Sequence, residues 1–331
     1  MTKLLIVGTG AAGLLVLWHL QKSKTIHPNN IILIDPHHDG GDLQRRWSSV
    51  KSNTIWNQTL AVFDLSGSEV PSAWKDLDPM QPASLQYSIS LIRHMTRDFM
   101  NQCEIVHGMV AQIEKDKEKN VWSVTLTDKT NYTVPVVILA HGSEPKHLSL
   151  PIPSIPLECA LSKSRLETYV SKNSRVLLFG TSHSGTLIMR NLHELDVQTT
   201  AFYNTDKPFY FARDGEYDGI KQESAEIADA INTYPKVQLT HVTDTAQVIK
   251  ASRKADWVIY ATGFKPRTTI QVNLAYDGIT GAIAESPGLW GFGIAFPNRA
   301  DNAINWDVSI PSFSSHIQKQ IPTILKYLSE C

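Results

Sequence analysis

The chain has 331 residues, 42% of them hydrophobic and 19% charged; that balance suits one or two globular domains and excludes a disordered, collagenous or coiled-coil protein. Its 31 Lys and Arg against 32 Asp and Glu leave a formal charge of -1, so no overall attraction to nucleic acid or to an anionic membrane is expected. Cys103, Cys159 and Cys331 lie far apart with no CxxC pair, which excludes a structural zinc site and a vicinal dithiol centre and suits a reducing cytoplasm.

In chain order, the first block predicts a strand over 3–8, a helix over 11–24 and a strand over 30–35. This N-terminal run lacks the basic lead and cleavage site of a signal peptide, and no segment reaches the roughly 20 apolar residues of a membrane span. A cytoplasmic protein without a membrane partner is the expectation. Both strands are continuously apolar, which predicts a parallel sheet buried on both faces. Residues 36–82 show no period and predict an irregular excursion around a surface or a ligand. Leu85, Ile89, Ile92, Met95 and Phe99 form an apolar stripe that predicts a helix over 84–102. Strands are predicted over 105–109, 110–114 and 122–126, and then over 134–140, as a small antiparallel layer that returns to a buried parallel strand. Prolines 145, 151, 153 and 156 mark a connection. A second strand–helix–strand pattern follows over 174–180, 184–195 and 197–203, with another buried strand over 255–261 and a closing helix over 313–328. The expected class is α/β: two Rossmann-like, three-layer dinucleotide-binding domains. Residues 1–150 and 265–331 form one, and 151–264 form the other, inserted into the first.

Two glycine turns carry the chemistry. Gly8-Thr-Gly10-Ala-Ala12-Gly13 lies between strand and helix, and Asp35 ends the next strand. The first glycine permits the turn, the second lets a pyrophosphate approach the backbone, and the third lets helix and strand pack closely. The helix N-terminus offers free N–H groups to the phosphates, and Asp35 is placed to accept from the adenosine ribose. Gly180-Thr-Ser182-His-Ser184-Gly185 repeats the arrangement with serine in the middle. Tyr203 and Asn204 end the following strand in place of an acid, and Lys207 and Arg213 come next. Either cation suits a 2′-phosphate, so NADP is favoured over NAD. His37 and His38 adjoin Asp39 and Asp42, but neighbouring residues point apart and no ligand spacing accompanies them, so no metal is expected. There is no GxSxG elbow for a hydrolase.

These two turns, with Leu139-Ala-His-Gly142-Ser-Glu-Pro145 and Tyr260-Ala-Thr262-Gly263-Phe264, resemble the two-dinucleotide-domain flavoprotein oxidoreductases. The closest branch in motifs is that of the flavin-containing monooxygenases and N-hydroxylases. The resemblance spans nearly the whole chain, and His141 departs from it where the family has threonine. It implies FAD on the first turn and NADP, or NAD, on the second. Gly288-Leu-Trp-Gly-Phe-Gly293 resembles the family's last FAD-domain strand, without the Gly-Asp of the reductase branch. Ser49-Val-Lys-Ser-Asn53-Thr resembles the stretch that sets an asparagine amide beside flavin and nicotinamide, which makes Asn53 the catalytic candidate. The alternative is an asparagine in an ordinary turn. Ser312 opens the last helix, facing the flavin or simply capping. Trp47, Trp56, Trp290 and Trp306 either wall the flavin or belong to the core, and Cys159 is a lone thiol with a redox or a packing role.

The function implied is that of an FAD-dependent NAD(P)H oxidoreductase. In the monooxygenase version it oxygenates a small nitrogen or sulfur nucleophile through a flavin C4a-hydroperoxide, with a small-molecule substrate and dioxygen as partners. A reductase serving a quinone or protein acceptor and a non-turnover flavin sensor are the alternatives.

Overall fold

The computed structural model describes residues 3–209, 212–213, 216–217, 223–270, 283, 286–297 and 309–331. The chain divides into two compact units. The first comprises Met1–Ser48, Ile55–Glu144 and Lys265–Cys331, and the second Ser49–Thr54 and Pro145–Phe264.

Chain order is β1 (Leu4–Val7), α1 (Ala11–Ser23), β2 (Ile31–Ile34), α2 (Asp42–Arg45), α3 (Trp56–Ala61), α4 (Leu85–Met100), β3 (Glu104–Val106), β4 (Val110–Asp116), β5 (Val121–Leu126), β6 (Asn131–Val134), β7 (Val136–Leu139) and β8 (Ser143–Pro145). Then come α5 (Leu157–Ala160), α6 (Lys163–Leu166), β9 (Arg175–Phe179), α7 (His183–Glu194), β10 (Gln198–Tyr203), β11 (Ala212–Arg213), β12 (Glu216–Tyr217), α8 (Glu223–Ala230), β13 (Val237–His241), α9 (Thr245–Ser252), β14 (Trp257–Tyr260), β15 (Phe264–Pro266), β16 (Leu289–Gly291) and α10 (Ile310–Glu330).

In the first unit a parallel sheet runs β16-β7-β1-β2-β3. Side chains alternate across a strand, so β1 serves two cores. Leu4 and Ile6 pack with the helical layer of α1, α4 and α10, whereas Leu5 and Val7 join Val124, Leu126 and Val134 of the antiparallel layer β4-β5-β6. Burial on both faces is the physical reason the strand carries no polar alternation. The single strand expected over 134–140 is two strands, because Pro135 separates antiparallel β6 from parallel β7. Proline donates no ladder hydrogen bond and marks the change of sheet. The last helix starts three residues earlier than the apolar pattern indicates: Ser309 and Ser312 form a capping box, and Pro311 sits in the first turn, where a missing N–H costs little.

The second unit holds a parallel sheet β13-β10-β9-β14, with α7 connecting β9 to β10. Phe179, Phe202 and Tyr260 stack in its core. The strand Val237–His241 and the helices α8 and α9 carry too weak an apolar pattern to be anticipated; β13 has only Thr240 fully buried.

Among the described residues no helix is long and apolar enough to cross a membrane.

Candidate functional site

Each parallel sheet places its glycine turn at the C-terminal end of a strand flanked by strands on both sides, the crevice where open α/β sheets take ligands. In the first unit Gly8 has φ +96°, and a Cβ there would lie 2.3 Å from the Ala140 carbonyl oxygen. At Gly13 a Cβ would lie 1.9 Å from the Gly8 oxygen. These two glycines are therefore required by the fold itself. Gly10 differs, since a Cβ there would meet nothing closer than Gly40 and Gly41 backbone at 3.8 Å. It caps α1 without a side-chain hydrogen bond, which leaves the first helical amides open to an anion. That open cradle in front of a helix N-terminus fits a dinucleotide pyrophosphate.

Gly40 and Gly41 were not singled out in the sequence. Both have positive φ, +98° and +68°, and a Cβ on Gly41 would come 3.0 Å from Gly10 Cα. The Gly-Gly pair five residues past Asp35 was the available signal. Asp42 follows it and pairs with Arg267, Arg46 and Arg45. The Arg267 amide donates to the Gly142 carbonyl at 3.4 Å, so Arg267 joins the 40–42 and 141–142 stretches.

Asp35 is 7% exposed. One of its oxygens accepts from the Thr9 amide at 2.8 Å, the other from the His37 and His38 amides at 2.8 and 3.0 Å. Burial pushes this carboxyl up, but the three amides together outweigh burial and hold it below the usual carboxylate range. The Thr9 hydroxyl lies 3.2 Å from His38 Nδ1, and His38 Nε2 lies 3.0 Å from the Val106 carbonyl. Asp35 thus fastens the turn to the loop after β2.

Other expected residues fall as follows. Ala12 packs its methyl group where a Cβ on Gly293 would come, at 2.8 Å, which brings the loop after β16 against the start of α1. Gly142 has φ +80°. Beside it, burial and the Arg267 charge push the His141 ring down to about 4, against the opposing pull of the Arg267 backbone, and the ring meets Phe296 edge-on. Trp47 is half-buried with the Arg46 guanidinium 5.2 Å over its ring. Trp56 and Trp290 belong to the first unit's apolar core, and Trp306 lies outside the described residues. Ser312 spends its side chain on the capping box. Asn53 is half-buried between Ser52 and Thr54, whose hydroxyls are 2.9 Å apart, on the segment that packs with the second unit.

The second unit repeats the turn. Gly180 has φ +103° and a Cβ there would lie 2.2 Å from the Ala261 oxygen; at Gly185 it would lie 2.1 Å from the Gly180 oxygen. Ser182 takes the middle place, exposed, as the cap of α7, and Ser184 lies in that helix's first turn. Thr262 donates to the Lys146 carbonyl at 3.1 Å, and the Lys146 amide returns a bond to Gly263 at 2.9 Å. Gly263 has φ +86° with open space around it. Lys207 is exposed on the loop after β10; the side chain of Arg213 is outside the described set. All three cysteines are free. Burial pushes the Cys103 thiol up to about 12, and the Tyr169 hydroxyl donates to Cys159 Sγ at 3.8 Å.

Two parallel sheets, each ending in a strand–glycine turn–helix cradle, define a protein of the FAD/NAD(P) oxidoreductase fold. Residues 2–283 match the family described as pyridine nucleotide-disulphide oxidoreductase, and the chain belongs to that family of FAD-dependent oxidoreductases. A monooxygenase of Paecilomyces divaricatus is 23% identical, with 96% of each chain covered. Among solved structures, the flavin-containing monooxygenase of Stenotrophomonas maltophilia is similar at TM-score 0.67 and 15% identity, with 99% of each chain covered. Bacillithiol disulfide reductase of Staphylococcus aureus reaches 0.64 at 14% identity, covering 98% of this chain and 99% of that one. Thioredoxin reductase of Lactococcus lactis reaches 0.58 at 13% identity over the full length of both.

Proposed function

We propose that the protein is an NAD(P)H-dependent flavin monooxygenase acting on a small nitrogen or sulfur nucleophile. The observation that carries this reading is the pair of like glycine cradles on a chain that has no cysteine pair for dithiol chemistry. The full-length likeness to a monooxygenase supports the same branch. In the first unit the open amides of α1, Gly10 and Gly40–Gly41 receive the FAD pyrophosphate, Asp35 holds the turn in shape for it, and Gly142, Trp47 and the Ser312 end of α10 border the cofactor. In the second, Gly180, Ser182, Ser184 and Gly185 receive the nicotinamide dinucleotide, with Thr262 and Gly263 beside them and Lys207 for a 2′-phosphate. Asn53 is our candidate for the amide that meets the reacting end. Bound FAD supplies hydride acceptance and oxygen activation. The protein's part is binding, orientation and exclusion of water, which needs no acid–base dyad.

Anaerobic reduction by NADPH followed by mixing with oxygen and a panel of amines and sulfides tests the proposal. Oxygenated product in step with NADPH consumed is expected. Consumption that yields only peroxide or a reduced acceptor transfers the assignment to a reductase, the second reading favoured by the full-length likeness to bacillithiol disulfide reductase. A flavin that neither nicotinamide bleaches leaves a sensor.

A further inference from the structure

The residue after the first glycine is threonine in both turns, and in the second unit its side chain does something the motif does not require. Thr181 is 7% exposed, and its hydroxyl donates to the carbonyl of Pro208. A second hydroxyl, that of Thr205, donates to the carbonyl of Lys207 at 2.9 Å. The two consecutive carbonyls of Lys207 and Pro208 are thus held, one by the glycine turn and one by the loop's own start. The loop leaves β10 at Tyr203, whose carbonyl accepts from the Val242 amide at 2.9 Å, while the Gly180 amide bonds Phe202 at 2.9 Å. Turn and loop are therefore tied at neighbouring points. In a dinucleotide-binding sheet the segment past this strand meets the adenosine ribose, where an acid reads the 2′-hydroxyl and a cation accommodates a 2′-phosphate. Residues 204–208 carry two charged side chains, Asp206 and Lys207, both exposed.

We propose that Thr181 is a specificity-determining residue: by holding the Pro208 carbonyl it presents Lys207 to the 2′-phosphate of NADPH. The inference rests on the reading of the second turn as the nicotinamide-dinucleotide site. A merely structural threonine would change the affinity of every nucleotide alike, whereas a threonine acting through the loop changes only the contribution of the 2′-phosphate.

The test is calorimetric titration of the full-length protein with 2′,5′-ADP and with 5′-AMP, which needs no turnover and no flavin chemistry. The wild type should bind 2′,5′-ADP about tenfold or more tightly than 5′-AMP, as a charge-assisted contact allows. Thr181→Val should lower 2′,5′-ADP affinity about fivefold and leave 5′-AMP within about twofold, the scale of one lost hydrogen bond. Thr181→Ser, which keeps the donor, should restore the wild-type ratio. Lys207→Ala should abolish the preference, and Thr181→Val added to it should cost nothing further for 2′,5′-ADP. Equal losses for both nucleotides, or additive losses in the double variant, overturn the proposal. If Thr181→Val does not fold, Thr205→Val on the other carbonyl must reproduce the selective loss, and failure to do so has the same consequence. A wild type that binds both nucleotides without preference, or prefers 5′-AMP, also overturns it while leaving the second turn a nucleotide site. A wild type that binds neither defeats the underlying reading instead.

Discussion

Gly8 and Gly180 hold nearly the same backbone, φ +96° and +103°, with a Cβ barred by the carbonyl oxygens of Ala140 and Ala261. Gly13 and Gly185 likewise press on the oxygens of Gly8 and Gly180. The two turns part company at the middle residue, glycine in one and exposed serine in the other, and in what fastens them. The first is fastened by a buried carboxylate that collects three amides, the second by a threonine hydroxyl on a carbonyl. The outer glycines thus serve packing, which is common to both units. The middle position and the fastening are where the two turns differ.

The largest effects should come where the turns agree. Gly8→Ala and Gly180→Ala should each cost on the order of 3 kcal/mol or more, by strain at positive φ and a backbone clash. Chemical unfolding followed by proteolysis of each unit checks this, and a loss under about 1 kcal/mol at either site would break the equivalence. Gly185→Leu meets the same backbone oxygen at 2.1 Å, so it should unsettle the second unit's fold along with its ligand.

Gly10→Val should separate folding from binding. The 3.8 Å clearance is that of a Cβ, so Gly10→Ala beside it should keep stability within about 1 kcal/mol, and both variants should lose FAD affinity, the valine by roughly a hundredfold, or about 2.7 kcal/mol. Flavin titration beside a melt reads both quantities, and unaltered affinity would remove Gly10 from the pyrophosphate site.

Acid should act on the first unit. His19 of α1, whose Nε2 lies 2.8 Å from the Ser314 hydroxyl of α10, is pushed down to about 4 by burial and then by Lys22. Its folded pKa lies below the unfolded value, so below about 6.5 the unfolded chain binds the extra proton and stability falls until about pH 4. From pH 7 to 5 the loss is about 2 kcal/mol. Urea unfolding of wild type and His19→Gln at the two pH values should show the dependence flattened by that amount in the variant, and parallel curves would discount His19.

The smallest expected effect belongs to Asn53. Asn53→Ala should leave both cofactors bound and raise the peroxide formed per NADPH about tenfold, near 1.4 kcal/mol. Equal ratios in the two proteins would return Asn53 to an ordinary turn.

Much of this architecture was legible in order along the chain. Apolar runs without alternation announced buried parallel strands, because a strand covered on both faces has no place for a polar side chain. Gly8, Gly13, Gly180 and Gly185 were readable for a related reason: a residue without Cβ is needed wherever two backbones touch, and the spacing of such contacts is local. Pairings across sequence distance were not readable. That Asp35 turns inward to the Thr9, His37 and His38 amides, that Gly41 lies against Gly10, that Arg267 meets Asp42 and that Thr181 holds Pro208 all depend on loops whose composition carries no period. Asp35 and Thr181 take backbone donors and acceptors that the packed sheet leaves unsatisfied, whereas Arg267 and Gly41 meet what the folded loops bring alongside, and both exist only once the chain is folded.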